Sequence, residues 1–231
     1  MTVIDLERIR KFSDGAKVIF ENAEALYNEA QTLGQAGSFA RAASLHQISM
    51  EECAKIDILG VHATSILMGA QVDEGRLAKS LRKHEVKNFA NAYYAEPNAE
   101  EKSARGRGDT KAASEAFEKL QQNYHRDFNA IKNAGLYVEF EGGKFISPRD
   151  VVPEEAAAAM MYINAEFLRR ASLFIRLFER MLTEPDKQSE FAKRFAKLME
   201  ELRQGCASPD AIGEYLAAEI KVEAKARSRE K

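Results

Sequence analysis

Apolar residues recur every three or four positions in run after run, and glycine and proline punctuate the runs. From Ala16 onward, Ile19, Phe20, Ala23, Leu26, Tyr27, Ala30 and Leu33 share one face of a helix, and Gly34 and Gly37 mark its stop. Ser38 caps a second helix reaching about Met68. A third runs from near Glu74 to just before Pro97, and a fourth spans roughly Lys111 to Asn133. Between these two, residues 96–110 are polar, include Arg105-Gly106-Arg107-Gly108, and read as a mobile loop. The period then drops to two. Leu136-Tyr137-Val138-Glu139-Phe140 alternates, Gly142-Gly143 supplies a tight turn, and Lys144-Phe145-Ile146-Ser147 returns before Pro148. Pro153-Glu154-Glu155 opens a helix running to about Thr183, since proline suits the first turn and acids favour the positive end of the helix dipole. Pro185 opens another, ending near Gly205, and Ser208-Pro209-Asp210 caps a last one whose end, 221–231, mixes both charge signs. The fold class is all-α: a helical bundle with one small inserted β-hairpin at about 136–147. The pattern divides into a main domain, 1–184, and a C-terminal helical extension, 185–231, packing on or near it.

Composition narrows the chemistry. A net charge of -2 argues against bulk electrostatic binding of nucleic acid but leaves room for a local basic face. Cys53 and Cys206 stand far apart without zinc spacing, which points to a reducing compartment. Asp5, Glu7, Arg8 and Arg10 interrupt any signal-peptide core, and the longest apolar run, Ala156 to Ile163, is too short to span a bilayer. A soluble, cytoplasmic protein with no membrane partner is expected.

The second helix carries Glu51-Glu52-Cys53-Ala54-Lys55 in apolar surroundings. At about 100° per residue, Leu45, Ile48, Glu52, Ile56 and Leu59 fall in one sector, with Glu51 on the wetter side. Glu52 is therefore expected to point into the bundle, where a carboxylate is costly without a partner. Lys55 lies within reach of Glu51 at i+4 and of Glu52 at i+3. His84, which shares a face with Leu77 and Leu81 in His84-Glu85-Val86-Lys87, is the natural candidate to complete a polar cluster. The same residues are also compatible with a structural ion pair that fixes helix packing.

Arg76, Lys79, Lys83 and Lys87, spaced three, four and four, form a basic stripe on one helical face, suited to phosphates, RNA or an acidic protein surface, or simply to solvation. Arg41-Ala42-Ala43-Ser44-Leu45-His46 matches an Arg-x4-His pattern found in helical endoribonucleases of the HEPN superfamily. The two side chains point roughly 140° apart on a straight helix and the polar residue often found after the arginine is missing, so the match is weak, and His46 reads as a core residue near Met50 and Cys53. No HExxH, di-iron Glu-x-x-His pair, P-loop or GxGxxG is present, and His62 and His125 lack ligand spacing; no metal or cofactor is expected.

Taken in order, these elements resemble the AbiV family of bacterial abortive infection proteins. The likeness begins at Asn22-Ala23-Glu24-Ala25-Leu26-Tyr27, continues through Gly37-Ser38-Phe39-Ala40-Arg41-Ala42, Glu51-Glu52-Cys53-Ala54-Lys55 and His84-Glu85-Val86-Lys87, and reaches Lys132-Asn133-Ala134-Gly135-Leu136-Tyr137-Val138-Glu139-Phe140, Pro148 and Pro153-Glu154-Glu155-Ala156-Ala157. It covers most of residues 15 to 180. Ala54 stands where the family tends to have glycine, and Cys53 where it has another hydrophobic residue. The resemblance implies a HEPN-like bundle, phage defence through arrest of translation in infected cells, contact with a phage protein, and pairing as a homodimer. Glu52, Lys55, His84 and Lys87 match the family's recurrent polar positions and carry over as the candidate functional set, with Arg41 and His46 as the weaker alternative. Two activities follow: a metal-independent endoribonuclease or a blocker of a ribosome-associated target, and, alternatively, a non-catalytic module binding a nucleotide, RNA or a partner protein.

Overall fold

Four helices of the described residues start where a side chain accepts from a first-turn amide, and the first of these starts lies upstream of the apolar periodicity. In the computed structural model, which describes residues 4–203, the Asp5 carboxylate accepts from the Arg8 amide at 3.0 Å. Helix α1 accordingly spans Leu6–Gln35, ten residues longer at its start than the pattern beginning at Ala16 suggests. Gly37, at φ +74°, ends it in the left-handed conformation that only glycine adopts readily. Helix α2 follows at Phe39–Leu67.

The expected third helix is two helices. Asp73 caps α3 (Glu74–Arg82), Lys83 is extended at φ -77°, ψ 119°, and α4 begins immediately at His84 and runs to Ala92. Neither proline nor glycine causes this break. The physical reason is tertiary: α4 turns Lys87, Asn88 and Asn91 into buried positions against α2, which a straight continuation of α3 does not reach. The expected mobile loop is also helical. Asn98 accepts from the Glu101 amide at 2.8 Å and starts α5 (Ala99–Gly106), where buried Glu101 is held by Arg105. Asp109 caps α6, Thr110–Leu136, which runs three residues past the expected end.

The hairpin forms as β1 (Glu139–Glu141) and β2 (Lys144–Ile146), paired antiparallel with Phe140 opposite Phe145. Gly142 and Gly143 both have positive φ, as a two-residue hairpin turn requires. Short α7 (Pro148–Val151), then α8 (Glu154–Thr183) and α9 (Pro185–Arg203), complete the described chain. Ser189 of α9 donates to the Leu67 carbonyl at 2.7 Å, tying α9 to the end of α2. The expected helix at Ser208-Pro209-Asp210 and the segment 221–231 lie outside the described residues.

Helix α2 occupies the middle, flanked by α1, α4, α6 and α8. Ala16, Ala23 and Ala30, at seven-residue spacing on α1, are fully buried and let α1 approach the alanines of α2 closely. Phe167 and Phe178 of α8 fill the opposite side. Among the described residues this is an all-α, HEPN-like bundle of nine helices with one two-stranded sheet, and no helix is long and apolar enough to cross a membrane.

The end of α6 is pressed onto the start of α2. A Cβ at Gly135 would stand 2.3 Å from the Ala40 carbonyl oxygen and 2.1 Å from Ser44 Oγ, so only glycine fits. Gly135→Ala is expected to force the helices apart and destabilise the fold by about 1–3 kcal/mol, read as a lower urea midpoint, because the obstructing backbone carbonyl cannot rotate away as a side chain would.

Candidate functional site

Three residues one helical repeat apart on α2, Ser44, Gln47 and Glu51, face α4 and α6 and are all buried. Burying a stripe of polar groups is tolerable only if each finds partners. Ser44 Oγ donates toward the Lys132 carbonyl at 3.0 Å, and Gln47 Nε2 donates to Asn88 Oδ1 at 2.9 Å. Glu51, 1 % exposed, is the centre of the layer.

Its carboxylate gathers side chains from two other helices. Oε2 faces His84 Nδ1 in a very short contact and Lys87 Nζ at 2.9 Å, and Oε1 accepts from Lys132 Nζ at 3.0 Å. Burial alone would raise the Glu51 carboxyl, but the hydrogen bonds from His84, Lys87 and Lys132 outweigh it and hold it below the usual carboxylate range. One carboxylate faces two ammonium groups, so the cluster keeps net positive charge. His84 differs from its partners: its side chain is 59 % exposed although Nδ1 is anchored inside. A carboxylate can only accept, so Nδ1 is the donor, and Nε2 is the ring nitrogen that this contact does not use.

A second polar link lies behind the cluster. Asn88 turns its amide nitrogen to His125 Nδ1 at 3.1 Å, and Asn91 donates to the Met50 carbonyl at 3.1 Å. On the far side of α2, Arg170 stacks 3.9 Å over the Tyr94 ring beside Asp57. Burial pushes the Asp57 carboxyl up to about 6 against the opposing hydrogen bond from Tyr94 and the charge of Arg170. Among the described residues, no group of three or more His, Cys, Asp or Glu side chains gathers as a metal site would need.

The candidate set is thus partly joined and partly separated. His84 and Lys87 meet, but on Glu51, not Glu52. Glu52 pairs with Lys55 at 2.5 Å, as its i+3 spacing allows, and accepts from Asn22 of α1 at 3.2 Å, on a different side of α2. The helical wheel reversed the two acids because α2 is covered on nearly every side, so no wet face exists to orient it. The basic stripe does not hold together either. Arg76, Lys79 and Lys83 are exposed on the α3 side of the break, whereas Lys87 is buried against Glu51. Arg41 is exposed and His46 buried, its Nδ1 facing the Asn164 amide at 3.1 Å. Burial lowers the His46 pKa to about 4, which makes it a neutral core imidazole. Lys132, absent from the candidate set, stands in a stretch that carries the family likeness and beside Phe128, Ile131 and Gly135 on α6.

The family model HEPN_AbiV, described as AbiV, matches residues 11–169, which include every member of the Glu51 cluster. The chain belongs to the AbiV family. It is also similar to an uncharacterized protein, y4gJ, of Sinorhizobium fredii (strain NBRC 101917 / NGR234), at 30% identity over 110 residues, 48% of this chain and 57% of that relative. The match therefore spans little more than half the relative's length. No solved structure matches the chain.

The two acids make a direct comparison. Glu51→Ala leaves two lysines buried without their counter-charge and is expected to cost about 3–5 kcal/mol. Glu52→Ala is expected to cost roughly 1 kcal/mol or less, since its pair is local and partly solvated. Both are read from urea unfolding. Because the folded Glu51 carboxyl is depressed, its stabilisation is complete above the ordinary carboxylate pKa and disappears as pH falls through the folded value. Glu51→Gln is accordingly expected to flatten the acid limb of the stability–pH curve.

Proposed function

We propose that this AbiV-family protein is an abortive-infection effector that arrests translation by cutting RNA without a metal ion, with His84 as the proton-transfer group. The observation that carries this reading is that buried Glu51 holds His84 through Nδ1 while the His84 side chain stays 59 % exposed. A buried acid that orients an imidazole and leaves its other nitrogen toward solvent is the arrangement general acid–base catalysis uses. Lys87 and Lys132 supply the surplus positive charge that an anionic transition state needs.

In this reaction His84 Nε2 removes the proton of a ribose 2′-hydroxyl. The freed oxygen bonds to the adjacent phosphorus, and the bond from phosphorus to the 5′-oxygen breaks. That oxygen takes a proton from solvent, leaving a 2′,3′-cyclic phosphate and a 5′-hydroxyl. Action in the cytoplasm, as a homodimer triggered by a phage protein, belongs to the same proposal.

A non-catalytic reading draws on the fact that Glu51, Lys87 and Lys132 satisfy one another and are buried, as a purely architectural ion cluster would be. In that case the same face binds a nucleotide, RNA or a ribosome-associated partner without reaction.

His84→Ala separates the two, because the side chain is mostly exposed and its loss leaves Glu51 its two lysines. Cells carrying wild type or His84→Ala are challenged with phage, and their RNA is examined for new 5′-hydroxyl ends. Cleavage is expected to fall about 10²–10⁴-fold in the variant, together with defence. Defence lost with RNA unchanged in both strains would replace the nuclease by the binder.

A further inference from the structure

The turn of the hairpin decides which backbone groups its outer edges offer. Gly142 and Gly143, at φ +58° and +80°, form a two-residue turn, and the pair flanking it, Glu141 and Lys144, exchanges both backbone hydrogen bonds. Bonded and non-bonded pairs alternate along an antiparallel ladder, so Phe140 and Phe145 are a non-bonded pair. Side chains stand closer at such a pair, in keeping with ring centroids 4.9 Å apart. The amide and carbonyl of Phe140 therefore point out from the free edge of β1, and those of Phe145 from the free edge of β2. The two rings are 65 % and 80 % exposed, and each strand packs mainly on the other. A two-stranded sheet is marginal by itself, and a free edge is a template for a further strand.

The two edges differ in charge. Pairing β1 with its own copy about a two-fold axis at Phe140 sets Glu139 opposite the partner's Glu141 and Glu141 opposite the partner's Glu139, two repulsive pairs. The same operation on β2, centred on Phe145, sets Lys144 opposite the partner's Ile146, which repels nothing. Phe145 then faces the partner's Phe145, and each donates its outward amide to the other's outward carbonyl. The phenylalanines of both copies line one face of the resulting sheet. Glu139 and Glu141 are left on both outer strands, where acids oppose the addition of a fifth strand, so assembly closes at two copies.

We propose that the free edge of β2 pairs with β2 of a second copy of this chain, forming a four-stranded antiparallel sheet centred on Phe145. This rests on the homodimer within the proposed function and names its contact surface; whether RNA is cut does not enter it. Strands of three residues bury little area, so the pairing is reversible and depends on concentration.

Analytical ultracentrifugation of the full chain measures the dimer Kd. Phe145→Pro removes an amide that the second copy needs and the hairpin does not use, a setting in which edge strands accept proline. The two-fold axis loses both central hydrogen bonds at once, so Kd is expected to rise about tenfold or more. Phe140→Pro, the matched change on β1, is expected to raise it about threefold at most. Opposed bonded residues stand about 5.5 Å apart between Cα atoms, within disulfide reach. Phe145→Cys in a Cys206→Ser background, where the remaining Cys53 is buried, is therefore expected to give a cross-linked dimer on oxidation with diamide, and Phe140→Cys is not. Circular dichroism verifies that each variant folds. A dimer indifferent to Phe145→Pro and not trapped through Phe145→Cys overturns the pairing and moves the homodimer to another face. Equal weakening by the two prolines also overturns it, in favour of contact between ring faces. A chain that stays monomeric at every concentration overturns the pairing and the homodimer together and leaves the edge to a foreign strand. The cleavage reading, tested through His84→Ala, stands or falls separately from all three.

Discussion

A carboxylate enclosed by protein, two ammonium groups turned inward to meet it, and one imidazole reaching in from the surface connect α2, α4 and α6. Each of these charges would be expensive alone, and their enclosure is sustained by the others. The cluster also explains the break at Lys83. His84 and Lys87 approach Glu51 from above α2 only if α4 sets off in a new direction, and the chain makes that change in a single extended residue. The carboxylate therefore orders helix geometry as well as side chains.

A buried ion cluster is poor value as a stabiliser, since well-packed apolar side chains of similar volume often do as well or better. Its enclosure is therefore no argument that it serves strength, and the proposed nuclease takes it instead as the support of His84. The asymmetry within the cluster supports that view. Lys87 and Lys132 are almost wholly enclosed, while the His84 side chain is mostly exposed. The first two set the charge of the site and the third can act on a molecule outside it. Asp57, by contrast, is pushed up by burial beside Tyr94 and Arg170, and it offers no comparable opening to a partner.

Much of the fold was legible because most elements carry a local signal. Gly37, the Gly142-Gly143 turn, Pro148, Pro153 and Pro185 all mark boundaries the structure keeps. The misses share a cause. Asp5 and Asn98 start helices through single side-chain caps with weak surrounding periodicity, and the split at Lys83 has no local signature at all. His84 and Lys87 were legible as site residues, but their partner was not. A helical wheel finds an interior direction only by contrast with a wet side, and α2 lacks that contrast. Glu52 met apolar neighbours in sequence and a local lysine in space; Glu51 met its partners only through the packing of α4 and α6.

Lys132 shows how the same packing reaches the site from the other direction. Its position along α6 is fixed by Gly135, one turn on, where the absent side chain lets α6 touch the Ala40 carbonyl of α2. One turn before that contact, the lysine is delivered to Glu51, and one residue after it the helix ends and the chain leaves for the hairpin. A single close approach thus sets both the register of a site cation and the point from which Phe140 and Phe145 are carried outward. Displacing the helices at Gly135 would shift Lys132 against Glu51 and, with it, the end of α6 from which the hairpin departs.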